Sequence, residues 1–224
     1  MVANPVEQES TGFSIRRLGR PAGQVANFAI PHPARLHRGG IVSTEGAAQH
    51  TRPARRGLVI VNTGSGKGKT TAALGLALRA WGRGMHVCVI QFIKGADRTG
   101  EALAARRIGL EWHVTGNGFT WSGDKAEQER LAVSAWAEAC EKIEHGGYDV
   151  IILDEFTYAL EYEWLKTADV ISWLRSHKPP NMHLVITGRG APADLVDYAD
   201  LVTEMTEVKH PYRNGIPGQP GIEY

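Results

Sequence analysis

Leu58-Val59-Ile60-Val61-Asn62-Thr63-Gly64-Ser65-Gly66-Lys67-Gly68-Lys69-Thr70-Thr71 carries a short β-branched apolar run into a glycine-rich turn and on towards a helix. Thr63 to Thr70 follows the phosphate-binding pattern G-x-x-x-x-G-K-[ST] except at its first position, where Thr63 replaces Gly and Gly64 follows at once. That chemistry needs main-chain N–H groups converging on phosphate oxygens, then a helix N-terminus whose dipole favours an anion. Both are encoded: the glycines make the turn, and Leu74, Ala77, Leu78 and Trp81 recur at helical spacing until Gly82 supplies a stop. In this pattern Lys69 reaches the outer phosphates as a point charge and the Thr70 hydroxyl is placed to ligate Mg2+. Lys67 adds a second ammonium within the loop itself.

Downstream, strands and helices alternate. Val87–Phe92, Leu110–Val114, Tyr148–Leu153, His183–Thr187 and Leu201–Thr203 read as strands. Ser122 to His145, with an apolar stripe of Ala132, Trp136, Cys140 and Ile143, reads as a long helix, followed by shorter ones at Thr167–Ser176 and Pro192–Tyr198. Near-continuous apolar strands in β-then-α order predict an α/β fold with a mostly parallel sheet, covered by helices on both faces. Ligands in such sheets bind at the carboxyl ends of the strands.

Upstream the texture is different. Residues 1–57 hold eight Arg against three Glu, while residues 58–224 hold 17 Lys or Arg against 21 Asp or Glu, so the basic charge is in the arm. Pro5, Pro21, Pro31, Pro33 and Pro53 interrupt it and no helical or strand period is sustained, which predicts a largely irregular N-terminal arm before a nucleotide-binding domain at 58–224. A solvated tail is the plain reading of such an arm, and contact with nucleic acid the alternative. Met1–Gln24 lacks the apolar core of an export signal, and no apolar run approaches the roughly 20 residues of a membrane helix. A soluble, cytoplasmic protein is expected, with Cys88 and Cys140 as free, buried thiols.

Three further features fall on the same sheet edge. Val150-Ile151-Ile152-Leu153-Asp154-Glu155 is a buried strand delivering two carboxylates to its end, one of which can bind Mg2+ while the other organises the shell. Thr187-Gly188-Arg189-Gly190 closes the fifth strand and sends out a guanidinium able to hold phosphate bidentately, or simply a surface arginine. Gly116-Asn117-Gly118-Phe119-Thr120-Trp121 places two large aromatics in a glycine-rich loop, suited either to a flat apolar ligand or to a satellite hydrophobic cluster.

Thr63–Ala73, Gln91-Phe92-Ile93-Lys94-Gly95, Gly118–Trp121, Asp154-Glu155-Phe156-Thr157-Tyr158, Ile186–Gly190 and the ending from Val208-Lys209-His210 through Gly221-Ile222-Glu223-Tyr224 together resemble the P-loop type ATP:cob(I)alamin (corrinoid) adenosyltransferase family, over Gly57 to Tyr224 and in the family's order. The resemblance implies a P-loop NTPase (RecA-like) fold and transfer of the 5′-deoxyadenosyl group of ATP to a Co(I) corrinoid, with triphosphate as the leaving group. The corrinoid would be cobalamin, cobinamide or a cobyrinic acid derivative, as for a cob(I)yrinic acid a,c-diamide adenosyltransferase. It implies Mg2+ or Mn2+ as cofactor, an electron-donating flavoprotein reductase and a homodimer. By position it assigns ATP binding to Thr63, Gly64, Ser65, Gly66, Lys67, Gly68, Lys69, Thr70, Thr71 and Arg189, and catalysis to Lys69, Arg189 and Glu155. The metal falls to Thr70 and Glu155 with Asp154 second, and the corrinoid to Phe119 and Trp121. Ser65 stands where the family commonly carries Asn, and Met1–Gly57 shows no counterpart of the charged N-terminal helix of many members. The alternatives are a RecA-like ATPase or nucleoside kinase acting at the γ-phosphate, and a nucleotide-gated nucleic-acid-binding module.

Overall fold

Unbroken runs of Val, Ile, Leu and Cys make strands that need cover on both sides. The computed structural model, which describes residues 56–93, 99–115 and 125–223, builds its sheet from them. β1 (Val59–Thr63), β2 (Val87–Gln91) and β4 (Val150–Asp154) are buried along their whole length, and β5 (His183–Thr187) in all but its first residue. β3 (Glu111–Val114) and β6 (Leu201–Glu204) flank them, half-buried and mostly exposed respectively. The order is β3-β2-β4-β5-β1-β6 with every neighbouring pair parallel, so β5 separates the strand bearing the glycine-rich loop from the strand bearing the two carboxylates.

Successive residues of each strand enter opposite cores. Ile60, Val89, Ile152 and Val185 meet Ala73 and Ala77 of α1 (Lys69–Trp81) and Ala105 of α2 (Gly100–Ile108). Val61, Ile90, Leu153 and Ile186 join the core of the other face. That core includes Ala139 and Ile143 of α3 (Lys125–His145), Leu160 of α4 (Thr157–Glu161), Leu174 of α5 (Thr167–His177) and Leu195 of α6 (Ala193–Tyr198). The covered parallel sheet expected from the sequence is therefore present.

The packed stripes differ from the expected ones. α1 seats Ala73 and Ala77 on the sheet while Leu78 is 58% exposed, and α3 buries Ala132, Ala135, Ala139 and Ile143, with Trp136 and Cys140 only partly covered. Small side chains let a helix lie close to a sheet, and in helices this rich in Ala and Leu the apolar period does not single out one face. α2 and α4 were not expected. α2 has clear local signals, since the Thr99 hydroxyl accepts from the Ala102 N–H (3.4 Å) at one end and Gly109 takes a left-handed φ of 70° at the other. The helix expected from Ser122 is described from Lys125, and Ser122 itself lies outside the described residues.

The edge strand β3 is tied down by charge. Glu111 accepts from the Tyr148 hydroxyl (2.6 Å), the Lys142 ammonium (2.7 Å) and His113 Nε2 (2.7 Å), while His113 Nδ1 meets Glu138 of α3 at 2.7 Å. Burial alone would raise the Glu111 carboxyl, but these hydrogen bonds outweigh it and bring it down to about 2. Cys88 and Cys140 are both free, and burial pushes each thiol up to about 12. Of the basic arm, only Arg56 and Gly57 are described: Arg56 is ion-paired with Asp200, and the Gly57 N–H donates to Pro180 O at 2.7 Å. No helix among the described residues is long and apolar enough to cross a membrane.

Candidate nucleotide-binding site

The loop after β1 is shaped by the segment that follows β6. The Met205 N–H donates to Thr63 O (2.8 Å), and Met205 O accepts from the Gly66 N–H (2.6 Å). Gly64 has φ 97°, and a Cβ there would stand 2.4 Å from Met205 O, so both conformation and space demand glycine. α1 then opens at Lys69 with neither a side-chain cap nor an acidic residue in its first turn. Its first N–H groups and the positive end of its dipole are left for an anion.

Lys69 is 8% exposed, and its ammonium donates to Gly64 O (2.8 Å) and Gly66 O (2.6 Å) across the loop. Burial lowers its pKa, the nearby Arg189 guanidinium lowers it further, and Glu155 and Asp154 oppose the shift. Two cations held this close are relieved by a polyanion between them.

The two carboxylates of β4 do different things. Asp154 is fully buried; its Oδ1 accepts from the Thr70 hydroxyl (2.8 Å) and the Thr187 hydroxyl (2.6 Å), and its Oδ2 accepts from the Gln91 amide (2.8 Å). Thr187 in turn accepts from the Glu155 N–H at 2.9 Å, which fixes Glu155 at a left-handed φ of 59°. A non-glycine residue in that region is held by its surroundings, here by one hydroxyl shared with its neighbour. Glu155 is thereby set at the end of the strand as part of the pocket wall, while Asp154 stays behind Thr70. Arg189 projects from the turn after β5, where its carbonyl accepts from the Thr157 hydroxyl. A Cβ on Gly188 would stand 2.0 Å from that hydroxyl, so the turn closes only with glycine.

These groups surround an open pocket of about 260 Å³. Of the residues singled out from the sequence, Gly66, Lys67, Gly68, Lys69, Thr70, Thr71, Glu155 and Arg189 line it. Thr63, Gly64 and Ser65 do not; Thr63 instead accepts from the Ala191 N–H at 3.2 Å and helps join the two loops. Phe119 and Trp121 lie outside the described residues. Sequence reasoning missed Glu101, Tyr158, Ile222 and Glu223 in the wall, and the roles of Gln91 and Thr187 behind it. Gln91 and Thr187 carried a signal: each is a polar residue ending an apolar strand, and Gln91 sits in register with Asp154. Ile222 and Glu223 lay in the C-terminal stretch that carried the resemblance, with no role attached to it, and Glu101 carried no signal, because a helix brings it in from a distance.

A glycine-rich loop between a central strand and its helix, with paired carboxylates two strands away on the same edge of a parallel sheet, defines a P-loop nucleotide-binding protein of RecA-like arrangement. The family model described as ATP:corrinoid adenosyltransferase BtuR/CobO/CobP matches residues 55–224, and the chain belongs to that family. A corrinoid adenosyltransferase of a Sinorhizobium species is 44% identical over 178 residues, spanning 78% of this chain and 83% of that one. One from Pseudomonas aeruginosa is 39% identical over 196 residues (86% and 95% of the two chains). The corrinoid adenosyltransferase CobA of Salmonella typhimurium is 42% identical over 170 residues (75% and 86%).

Proposed function

We propose that this chain transfers the 5′-deoxyadenosyl group of ATP to the Co(I) centre of a reduced corrinoid and releases the triphosphate whole. The reading is carried by one arrangement: Lys69 and Arg189 flank the pocket in which α1 presents its uncapped N-terminus, beside a Thr70 hydroxyl held by Asp154. Co(I) is itself the nucleophile, so the protein's work is to position C5′ and neutralise the departing charge. The loop amides, Lys67, Lys69 and Arg189 hold the triphosphate as a leaving group rather than as a site of attack.

Hard oxygen donors at the mouth of the loop suit Mg2+ or Mn2+. Thr70 and Glu155 would hold the ion, with Asp154 fixing the Thr70 hydroxyl from behind. Bound there, the ion would offset charge on the phosphate oxygens. The corrinoid face is assigned to Phe119 and Trp121, whose rings suit a flat apolar ligand. A cytoplasmic homodimer served by a flavoprotein reductase completes the proposal.

Incubation with ATP, Mg2+ and a chemically reduced corrinoid tests it. Formation of a Co–C bond with release of inorganic triphosphate is expected. ADP and orthophosphate without a Co–C bond would overturn it in favour of γ-phosphate chemistry.

A further inference from the structure

A pocket lined with cations for a polyanion also receives a carboxylate from the far end of the chain. Glu223 is ion-paired with Lys67 of the phosphate loop; its side chain is 17% exposed, while that of Lys67 is 48% exposed. Ile222 beside it forms part of the same wall. The contact is set by a turn in which the N–H groups of Ile222 and Glu223 both donate to Gln219 O, at 3.1 and 2.8 Å. The segment after β6 therefore touches the loop twice, at Gly66 through Met205 O and at Lys67 through Glu223.

We propose that Glu223 is a built-in competitor for the triphosphate: its carboxylate sits on Lys67, gives way when the phosphate chain binds, and returns as the product leaves. This rests on the reading that the pocket holds the triphosphate of ATP. Cleavage at C5′ leaves triphosphate with one more anionic oxygen than it had in ATP, so loop amides and cations that hold the substrate grip the product more tightly. A tethered carboxylate acts at high effective concentration and needs no diffusion to reoccupy Lys67. Because the pair is partly exposed, its effect on affinity is modest and adjustable rather than a block.

Titration of the full chain with inorganic triphosphate, followed by calorimetry, tests the inference. Glu223→Gln is expected to tighten triphosphate binding by about threefold, with the gain shrinking as salt is raised. Glu223→Asp, which keeps the charge, is expected to stay near the wild-type value. In a Lys67→Ala background the Glu223→Gln effect should vanish, since the two residues act as a pair. Unchanged or weaker binding in Glu223→Gln, or the same gain without Lys67, overturns the inference. Lys69→Ala serves as the separate control: if it loses triphosphate while Glu223→Gln behaves as wild type, only the role of Glu223 falls. If Lys69→Ala binds triphosphate normally, the reading of the pocket falls with it.

Discussion

At the scale of single residues, the site depends on groups that are short of alternatives. Lys69 is held by two loop carbonyls inside a nearly closed environment, so its charge is already in place before a nucleotide arrives. Lys69→Ala is expected to reduce kcat/KM for ATP by at least about a hundredfold, the scale seen when a fixed electrostatic partner of a reacting group is lost. An unchanged kcat/KM would remove the phosphate loop from the account. Thr187 shows the same economy, donating to buried Asp154 and accepting from the Glu155 N–H with one hydroxyl. Thr187→Val keeps the shape and deletes both bonds, and chemical denaturation should register a loss of about 1–3 kcal/mol. Equal stability of the two proteins would mean that the network is not held as described.

The elements explain why some of this was legible from the sequence and some was not. β1, β2, β4 and β5 carry the apolar runs Val59–Val61, Val87–Ile90, Val150–Leu153 and Leu184–Ile186 because both faces are covered, and each ends on the polar residue that the site uses: Thr63, Gln91, Asp154 and Thr187. Fold and phosphate loop could therefore be read directly. The stripes of α1 and α3 were less readable, because alanines do the packing and the larger Leu78, Trp136 and Cys140 stand partly or wholly outside. The edge strand β3 was readable as a strand, but its attachment was not, since Lys142 and Tyr148 lie 31 and 37 residues beyond Glu111 in the chain. Its carboxyl is held at about 2 against an ordinary 4.5, so in acid the unfolded chain takes up this proton first. The stabilisation is complete above about pH 4.5 and is lost as pH falls towards about 2. The gap in Tm between wild type and Glu111→Gln should accordingly narrow over that window in a thermal melt series; a gap independent of pH would contradict the assignment.

Taken whole, the molecule places its site on one edge of the sheet and draws its own C-terminal segment back to it. Met205 and Glu223 reach the phosphate loop from well over a hundred residues downstream, a closure invisible to any local pattern. The opposite end of the chain contrasts with it. The arm of residues 1–57 holds eight Arg against three Glu, and its two described residues, Arg56 and Gly57, are not among those lining the pocket. Removing residues 1–57 is expected to leave adenosyl transfer at least partly intact, measured as triphosphate formed per enzyme; complete loss with the domain still folded would give the arm a direct part in the reaction.

The central claim is that the phosphate loop holds a leaving group while bond making occurs at ribose C5′. ATP carrying heavy oxygen at the bridge between C5′ and the α-phosphorus tests this in one turnover with a reduced corrinoid, read by mass spectrometry of the products. Cleavage between carbon and oxygen sends the label into inorganic triphosphate, which is the predicted result. Label retained on the nucleoside or nucleotide product would mean that a phosphorus–oxygen bond breaks instead, and would contradict the account.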